Sequence, residues 1–325
     1  MAVLLAAGDL RRVLDWDSVF EAVSKGFVDF SGGLVDQPQR TVLRGAMMPG
    51  VYVLMPCAIP SAKALGTKLA GIFPGNPARG HPTISALYVL AEFDTGRTLA
   101  VMDAGYLTAY RTAVASAVAT RALALADAKS MGLFGTGTQA EFHARAFAHF
   151  FPALRMKVCG TSREKADAFV ARLGPDISIC LADSPADAAG CDIVVAATSG
   201  TQPLFDGRAL RPGAHVNGVG SHSPKICELD SEAVARSRVI GDSREAVFAE
   251  AGDILLPIEE GRIGREHVVA ELGEVLGGRC RGRISRADIT LFKSNGIAFQ
   301  DAVTARIAFE RAAENGLGTE FDFGA

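Results

Sequence analysis

The 325-residue sequence lacks any basic run and any interleaving of basic with aromatic residues. Its 33 Lys and Arg stand against 36 Asp and Glu, net −3. A partner that tracks a phosphate backbone needs clustered cations, so nucleic acid is not expected. Cysteine pairs are lacking too: Cys57, Cys159, Cys180, Cys191, Cys227 and Cys280 are widely spaced and never form CxxC. This pattern suits small buried thiols in a reducing compartment better than a disulfide framework or a zinc site. No metal site is expected. The apolar start MAVLLAAGDL has no basic region before it and stops well short of the roughly 18 residues that span a bilayer, so neither a signal peptide nor a membrane anchor is expected. Internal repeats and low-complexity segments are absent, and the expectation is a cytoplasmic protein.

What is present is an ample apolar content, 49% of residues, in a chain long enough for two domains. From about residue 130 the sequence alternates short β-branched runs with small-residue turns and helical segments. Strand candidates are 131–134, 156–159, 177–181, 192–196, 215–219, 239–241 and 289–292. Such alternation predicts βαβ units, hence a doubly wound, Rossmann-type parallel sheet in an α/β protein. Before residue 110 the pattern is mostly β, with strands near 41–43, 50–55, 65–72 and 85–92, a hairpin signal at Asp94-Thr95-Gly96 and a helix over 16–30. The Ala-rich stretch LTAYRTAVASAVATRALALA reads as a helix bridging the halves, and 297–315 as a terminal helix returning to the first. The expected division is 1–112 with 297–325, and 113–296.

The turn GLFGTGTQAEF follows a strand and opens a helix, the context in which Gly-x-Gly-x-x-Ala binds a dinucleotide. Gly135 permits the tight turn, Gly137 lets backbone approach the pyrophosphate, and Ala140 allows close helix packing. Thr136, Thr138 and Gln139 complete the cradle at the helix N-terminus. An Asp or Glu that binds the ribose hydroxyls is expected at the end of the next strand, but Thr161, Ser162 and Arg163 stand there. Two hydroxyls and a guanidinium suit a 2′-phosphate, so NADP(H) is the expected cofactor, with NAD(H) the alternative. The other reading of these three residues is a helix cap with an exposed arginine.

Arg40, Lys68 and Arg111 lie isolated among apolar and small residues. Each alone suits a surface cation with a buried stem; together they suit a carboxylate, which needs charge compensation and a fork-shaped partner. The segments QPQRTVL, GTKLAGIFPGNPARGHPTISALYVL, LAVMDAGYLTAYRTAVASAVAT, PGAHVNGVGSHSPKICELD, DSREAVFAEAGD, AELGEVLGG and LFKSNGIAFQD, with the glycine turn, resemble the ornithine cyclodeaminase/mu-crystallin family from about residue 15 to 310.

That resemblance implies an N-terminal substrate and dimerisation domain beside a Rossmann domain whose cofactor faces the cleft. It implies that Arg40, Lys68 and Arg111 grip the substrate carboxylate, that Lys68 assists proton transfer, and that Thr83 lies beside the substrate. Thr198, Val219 and Lys293 match positions lining the cofactor. Where ornithine cyclodeaminases carry an aspartate for the distal amine, this sequence has His222, which cannot hold an ammonium as a fixed carboxylate does but can exchange protons. The nearby Glu228 and Asp230 are expected to serve the helix starting at Asp230-Ser231-Glu232. The expected activity is NAD(P)H-dependent reduction of a small imino acid, or the reverse amino acid dehydrogenation, by a homodimer. The alternatives are a redox-neutral ornithine cyclodeaminase with bound NAD and a non-catalytic, crystallin-like binder.

Overall fold

A computed structural model describes residues 1–221 and 223–324. The chain forms two compact units, Met1–Arg111 with Ile297–Ala325, and Thr112–Gly296. Among the described residues no helix is long and apolar enough to cross a membrane.

The first unit contains β1 (Ala2–Leu5), α1 (Ala7–Val13), α2 (Trp16–Ser31), β2 (Thr41–Leu43), β3 (Val51–Ile59), β4 (Ala64–Ile72), β5 (Ile84–Ala91) and β6 (Thr98–Asp103). Next comes α3 (Ala104–Leu123), which carries the boundary between units at Arg111 and Thr112. The chain later returns to the first unit with α11 (Ala298–Glu314) and β15 (Thr319–Phe321). Its seven strands are ordered β15-β1-β6-β5-β4-β3-β2, antiparallel except for the β1–β6 pair. Alternation along β3 buries Val53, Met55, Cys57 and Ile59 on one face. That face is covered by α11, which also packs on α2.

The α2 helix starts where the Asp15 side chain accepts from Ser18 N at 2.9 Å, satisfying an end amide. Val19, Val23 and Phe27, four residues apart, form its buried stripe, each worth about 1.5–3 kcal/mol on burial. Gly26 lets the Phe299 ring of α11 close in: a Cβ there would lie 2.6 Å from that ring.

The second unit runs β7 (Ser130–Phe134), α4 (Thr138–Phe150), β8 (Arg155–Cys159), α5 (Arg163–Leu173), β9 (Ile179–Leu181), α6 (Pro185–Ala189), β10 (Ile193–Ala196) and β11 (His215–Gly218). It continues with α7 (Ser231–Ala235), β12 (Ser237–Gly241), α8 (Arg244–Glu250), α9 (Gly252–Glu259), β13 (Val268–Glu271), α10 (Leu272–Leu276) and β14 (Ile289–Lys293). The eight strands are parallel in the order β13-β12-β14-β11-β10-β7-β8-β9. Each of the seven strands expected after residue 130 is present, and β13 joins them. Chain order reverses between β7 and β10, and ligands of open parallel sheets bind at the carboxyl ends of strands at such a point.

Candidate active site

In the first unit β4 carries Lys68 inward, where it is 5% exposed, and α3 delivers Arg111, 4% exposed. Between them stands Asp301, on the first turn of α11 and fully buried. Lys68 Nζ donates to Asp301 Oδ2 at 2.8 Å and Arg111 Nε to Asp301 Oδ1 at 3.1 Å. Arg111 Nη1 donates to Gln300 Oε1 at 2.7 Å, and the Thr108 hydroxyl donates to Asp301 Oδ1 at 3.3 Å. No partner of the Arg111 Nη2 atom is seen among the described residues.

Two cations share one anion, so the set carries a formal charge of +1 in a dry environment. Burial drives the Lys68 ammonium down to about 8; Asp301 opposes that fall, while Arg111 and Arg40 add to it by repulsion. Burial works to raise Asp301, but Arg111 and Lys68 more than offset it and hold its carboxyl below the ordinary value. Arg40, just before β2, is thus within electrostatic reach of Lys68. Thr83 stands exposed one residue before β5, its carbonyl accepting from Phe73 N at 2.8 Å. Asp301 and Gln300 were not singled out by sequence reasoning, although both lie in the quoted LFKSNGIAFQD.

In the second unit the β7–α4 turn has the conformation its glycines allow. Gly135 takes φ +111°, and a Cβ there would lie 2.5 Å from Ala197 O. At Gly137 a Cβ would meet nothing within 4 Å, leaving backbone open to an approaching group. Thr136 and Gln139 are half-buried and Thr138 is exposed, with Thr138 and Gln139 in the first turn of α4. Side chains of Ser162, Ser184, Asp230 and Ser243 cap α5, α6, α7 and α8, whereas Gly137 begins α4 with no side-chain cap. An uncapped N-terminus behind open glycine backbone suits a phosphate. Burial pushes His143 of α4 down to about 4, so the ring is neutral. It donates through Nδ1 to Gln139 O at 2.7 Å and accepts through Nε2 from the Ser116 hydroxyl at 2.9 Å, tying α4 to α3.

At the end of β8, Ser162 caps α5 by accepting from Lys165 N at 3.3 Å, while Thr161 and Arg163 are exposed. Thr198, after β10, donates its hydroxyl to Glu228 Oε1 at 2.7 Å and accepts from Gly200 N at 3.0 Å. Val219 N donates to Ala196 O at 3.0 Å. Lys293 is fully buried at the end of β14 and donates to Gly218 O at 3.2 Å and Ser221 O at 2.8 Å. Its third neighbour is Asp253 Oδ2, an ion pair at 3.0 Å that lies off hydrogen-bond alignment. His222 lies outside the described residues.

One expectation is corrected. Asp230 does cap α7, accepting from Ala233 N at 2.7 Å, but Glu228 does not serve that helix. Its buried carboxylate accepts from Thr198 N at 2.7 Å and Gly220 N at 2.6 Å, because the chain turns it inward beneath the ends of β10 and β11. Among the described residues no three His, Cys, Asp or Glu side chains gather as a metal site.

Residues 2–316 match the model of the ornithine cyclodeaminase/mu-crystallin family. The Δ1-pyrroline-2-carboxylate reductase of Bacillus cereus is 32% identical over 99% of this chain and all of the relative. The ketimine reductase mu-crystallin of Mus musculus is 33% identical over 89% of this chain and 90% of its own. Among solved structures, Thermococcus litoralis Δ1-pyrroline-2-carboxylate reductase in complex with NADH and L-proline superposes with TM-score 0.92 at 35% identity, covering 98% of this chain and all of that one. An archaeal alanine dehydrogenase dimer with bound NAD gives 0.92 at 30% identity, covering 99% of each. Identity above 30% across nearly the whole length, together with the family match, is decisive: the chain belongs to the ornithine cyclodeaminase/mu-crystallin family.

Proposed function

We propose that this chain is an NAD(P)H-dependent reductase of a small cyclic imino acid such as Δ1-pyrroline-2-carboxylate, also able to run the reverse amino acid dehydrogenation. The carrying observation is the buried Lys68–Asp301–Arg111 set, one negative charge short of neutrality. A substrate carboxylate supplies that charge, and the unpartnered Arg111 Nη2 edge is a donor of the geometry a carboxylate takes. Arg40 adds a third cation to the clamp.

Holding the carboxylate by two or three charge-assisted contacts fixes the direction in which the C=N carbon points, and such orientation is worth up to several kcal/mol of barrier. The nicotinamide, when bound, supplies the hydride. Lys68, with its ammonium near 8, is charged at neutral pH yet readily gives up a proton, so it both holds the carboxylate and delivers the proton that the ring nitrogen requires. His222 is a second candidate for that proton, and Thr83 for a polar contact to the substrate.

The dinucleotide is held by Gly135, Thr136, Gly137, Thr138 and Gln139, with Thr198, Val219 and Lys293 shaping the nicotinamide end. The acid-free Thr161-Ser162-Arg163 segment supports a preference for NADP(H) over NAD(H). The domain assignment follows: substrate binding and dimerisation by 1–112 with 297–325, cofactor binding by 113–296. Dimerisation is supported by the outer face of β2–β5, where Leu43, Tyr52 and Leu87 are 51%, 37% and 50% exposed.

The test is to follow NADPH and NADH consumption with Δ1-pyrroline-2-carboxylate, Δ1-piperideine-2-carboxylate and pyruvate plus ammonia, alongside ornithine with no added reductant. Oxidation of NADPH by a cyclic imino acid is expected. Ammonia release from ornithine without net change in nicotinamide absorbance would overturn the reading in favour of a cyclodeaminase, and tight cofactor binding with no turnover in favour of a binder.

A further inference from the structure

We propose that Glu228 is a positioning residue for the cofactor, fixing the two loops at the carboxyl ends of β10 and β11. The inference rests on the reading that the nicotinamide lies at the carboxyl ends of these strands.

Glu228 is fully buried, and four of its groups make hydrogen bonds, three to other segments and one to the start of its own loop. Oε1 accepts from both the amide and the hydroxyl of Thr198, each at 2.7 Å. Oε2 accepts from Gly220 N at 2.6 Å. Its carbonyl accepts from Leu204 N at 2.8 Å, catching the far end of the β10 loop. Its own amide, with that of Leu229, donates to Asp253 Oδ1, at 2.7 and 3.1 Å. Lys293 pairs with the same Asp253 and holds Gly218 O and Ser221 O from below. A carboxylate accepting three donors from two loops makes their separation a fixed quantity.

The clamp adjoins the dinucleotide turn directly. Ala197 N donates to Phe134 O at 3.1 Å, and a Cβ on Gly135 would lie 2.5 Å from Ala197 O and 3.3 Å from Thr198 Cγ2. On the other side, a Cβ on Gly220 would lie 2.3 Å from Thr198 O and 2.5 Å from Glu228 Oε1, so the two loops touch there without room for a side chain. Thr198 thus packs beside Gly135 on one side and is held by Glu228 on the other. Both polar roles of the Thr198 hydroxyl are already used, one by Glu228 and one by Gly200 N, which makes that hydroxyl part of the clamp.

Glu228→Gln tests this, because an amide nitrogen facing a backbone N–H replaces one acceptor by a donor while keeping the shape. Thr198→Val removes only the hydroxyl, and Thr198→Ser restores it. NADPH affinity is measured by fluorescence titration, with separate KM values for NADPH and imino acid. The expected result is an NADPH Kd raised about tenfold or more in Glu228→Gln and in Thr198→Val, recovery in Thr198→Ser, and an imino acid KM that stays within about twofold. If Glu228→Gln does not fold, the Val and Ser pair decides the matter alone. Unchanged NADPH Kd in Thr198→Val, or in a folded Glu228→Gln, overturns the proposal. A wild-type protein that binds neither NADPH nor NADH overturns the cofactor reading itself, a distinct result that takes this proposal with it.

Discussion

Replacing Asp301 by Asn removes one charge and almost no volume from the centre of the cation set. Lys68 lies near 8 because burial depresses it while Asp301, 2.8 Å away, opposes that depression. An opposite charge at such range is worth about 1–3 pK units, so its loss takes Lys68 to between about 5 and 7. At pH 7 the wild-type lysine is about nine-tenths protonated; with a pKa near 6 it is about one-tenth protonated. If the protonated form grips the carboxylate, kcat/KM for the imino acid at pH 7 falls about tenfold from protonation alone, before any loss of alignment.

The assay is the pH profile of kcat/KM in the reductive direction, which reports groups of the free enzyme. In the wild type a falling limb is expected near pH 8; in Asp301→Asn it moves down by about 1–3 units, and lowering the pH recovers the protonation part of the loss. Identical falling limbs in the two proteins would refute the reasoning.

Stability carries opposite signs for the two groups. The folded Lys68 value, about 8, lies below its ordinary 10.5. Burying the ammonium therefore costs about 3 kcal/mol below pH 8, a cost relieved as pH rises from about 8 to 10.5. Asp301 is held below its ordinary value, so it stabilises the fold above the usual carboxylate range and loses that contribution as pH falls through its folded pKa.

Three further outcomes are expected. Arg111→Ala, which abandons both Asp301 and Gln300, should lower kcat/KM for the imino acid about 100-fold with little change in NADPH affinity; unaltered kinetics would remove Arg111 from the clamp. Thr161→Asp places a carboxylate where a 2′-phosphate is proposed, and the NADPH-to-NADH ratio of kcat/KM should drop about tenfold or more, a constant ratio arguing that this segment does not read the phosphate. Leu87→Glu sets a charge on the exposed face of β5, and sedimentation velocity should then show monomers where dimers are expected for the wild type; a variant that sediments as a dimer like the wild type places the dimer contact elsewhere.

Strands and helices were legible where local physics decides them. The apolar runs at 50–55, 131–134 and 192–196, short and bounded by turn residues, need no distant partner to be read as strands. The strands sequence reading passed over are β1, β6, β13 and β15, three to six residues long, whose runs such as Ala2–Leu5 become strands by pairing with neighbours far along the chain, here Ala2 with Phe321 and Val3 with Ala100. The same limit applies to the site. Lys68 and Arg111 stood out as isolated cations, but Asp301 is 233 and 190 residues from them, and in the sequence it is an ordinary acid in a helix start. By sequence Glu228 belongs to the nearest helix, because Asp230-Ser231 supplies a real cap two residues on, whereas its side chain meets Thr198 in the loop after β10 and Gly220 at the start of its own loop.

Charge balance separates the roles of the two buried constellations. Lys68, Arg111 and Asp301 sum to +1, and Arg111 keeps donors to spare, so this set gains by taking in an anion. Lys293, Asp253 and Glu228 sum to −1 when ionised, and the excess is absorbed internally: the Glu228 oxygens take three donors and Asp253 Oδ1 takes two backbone amides. Burial and the charge of Asp253 nonetheless raise Glu228 above its ordinary value, so that this set is under electrostatic tension held by geometry. An anion brought near Lys293 finds an ammonium already engaged with two carbonyls and a carboxylate. Lys293 is thus held by partners that buttress the loops, whereas the Lys68 set keeps the net positive charge that the proposed substrate carboxylate would neutralise.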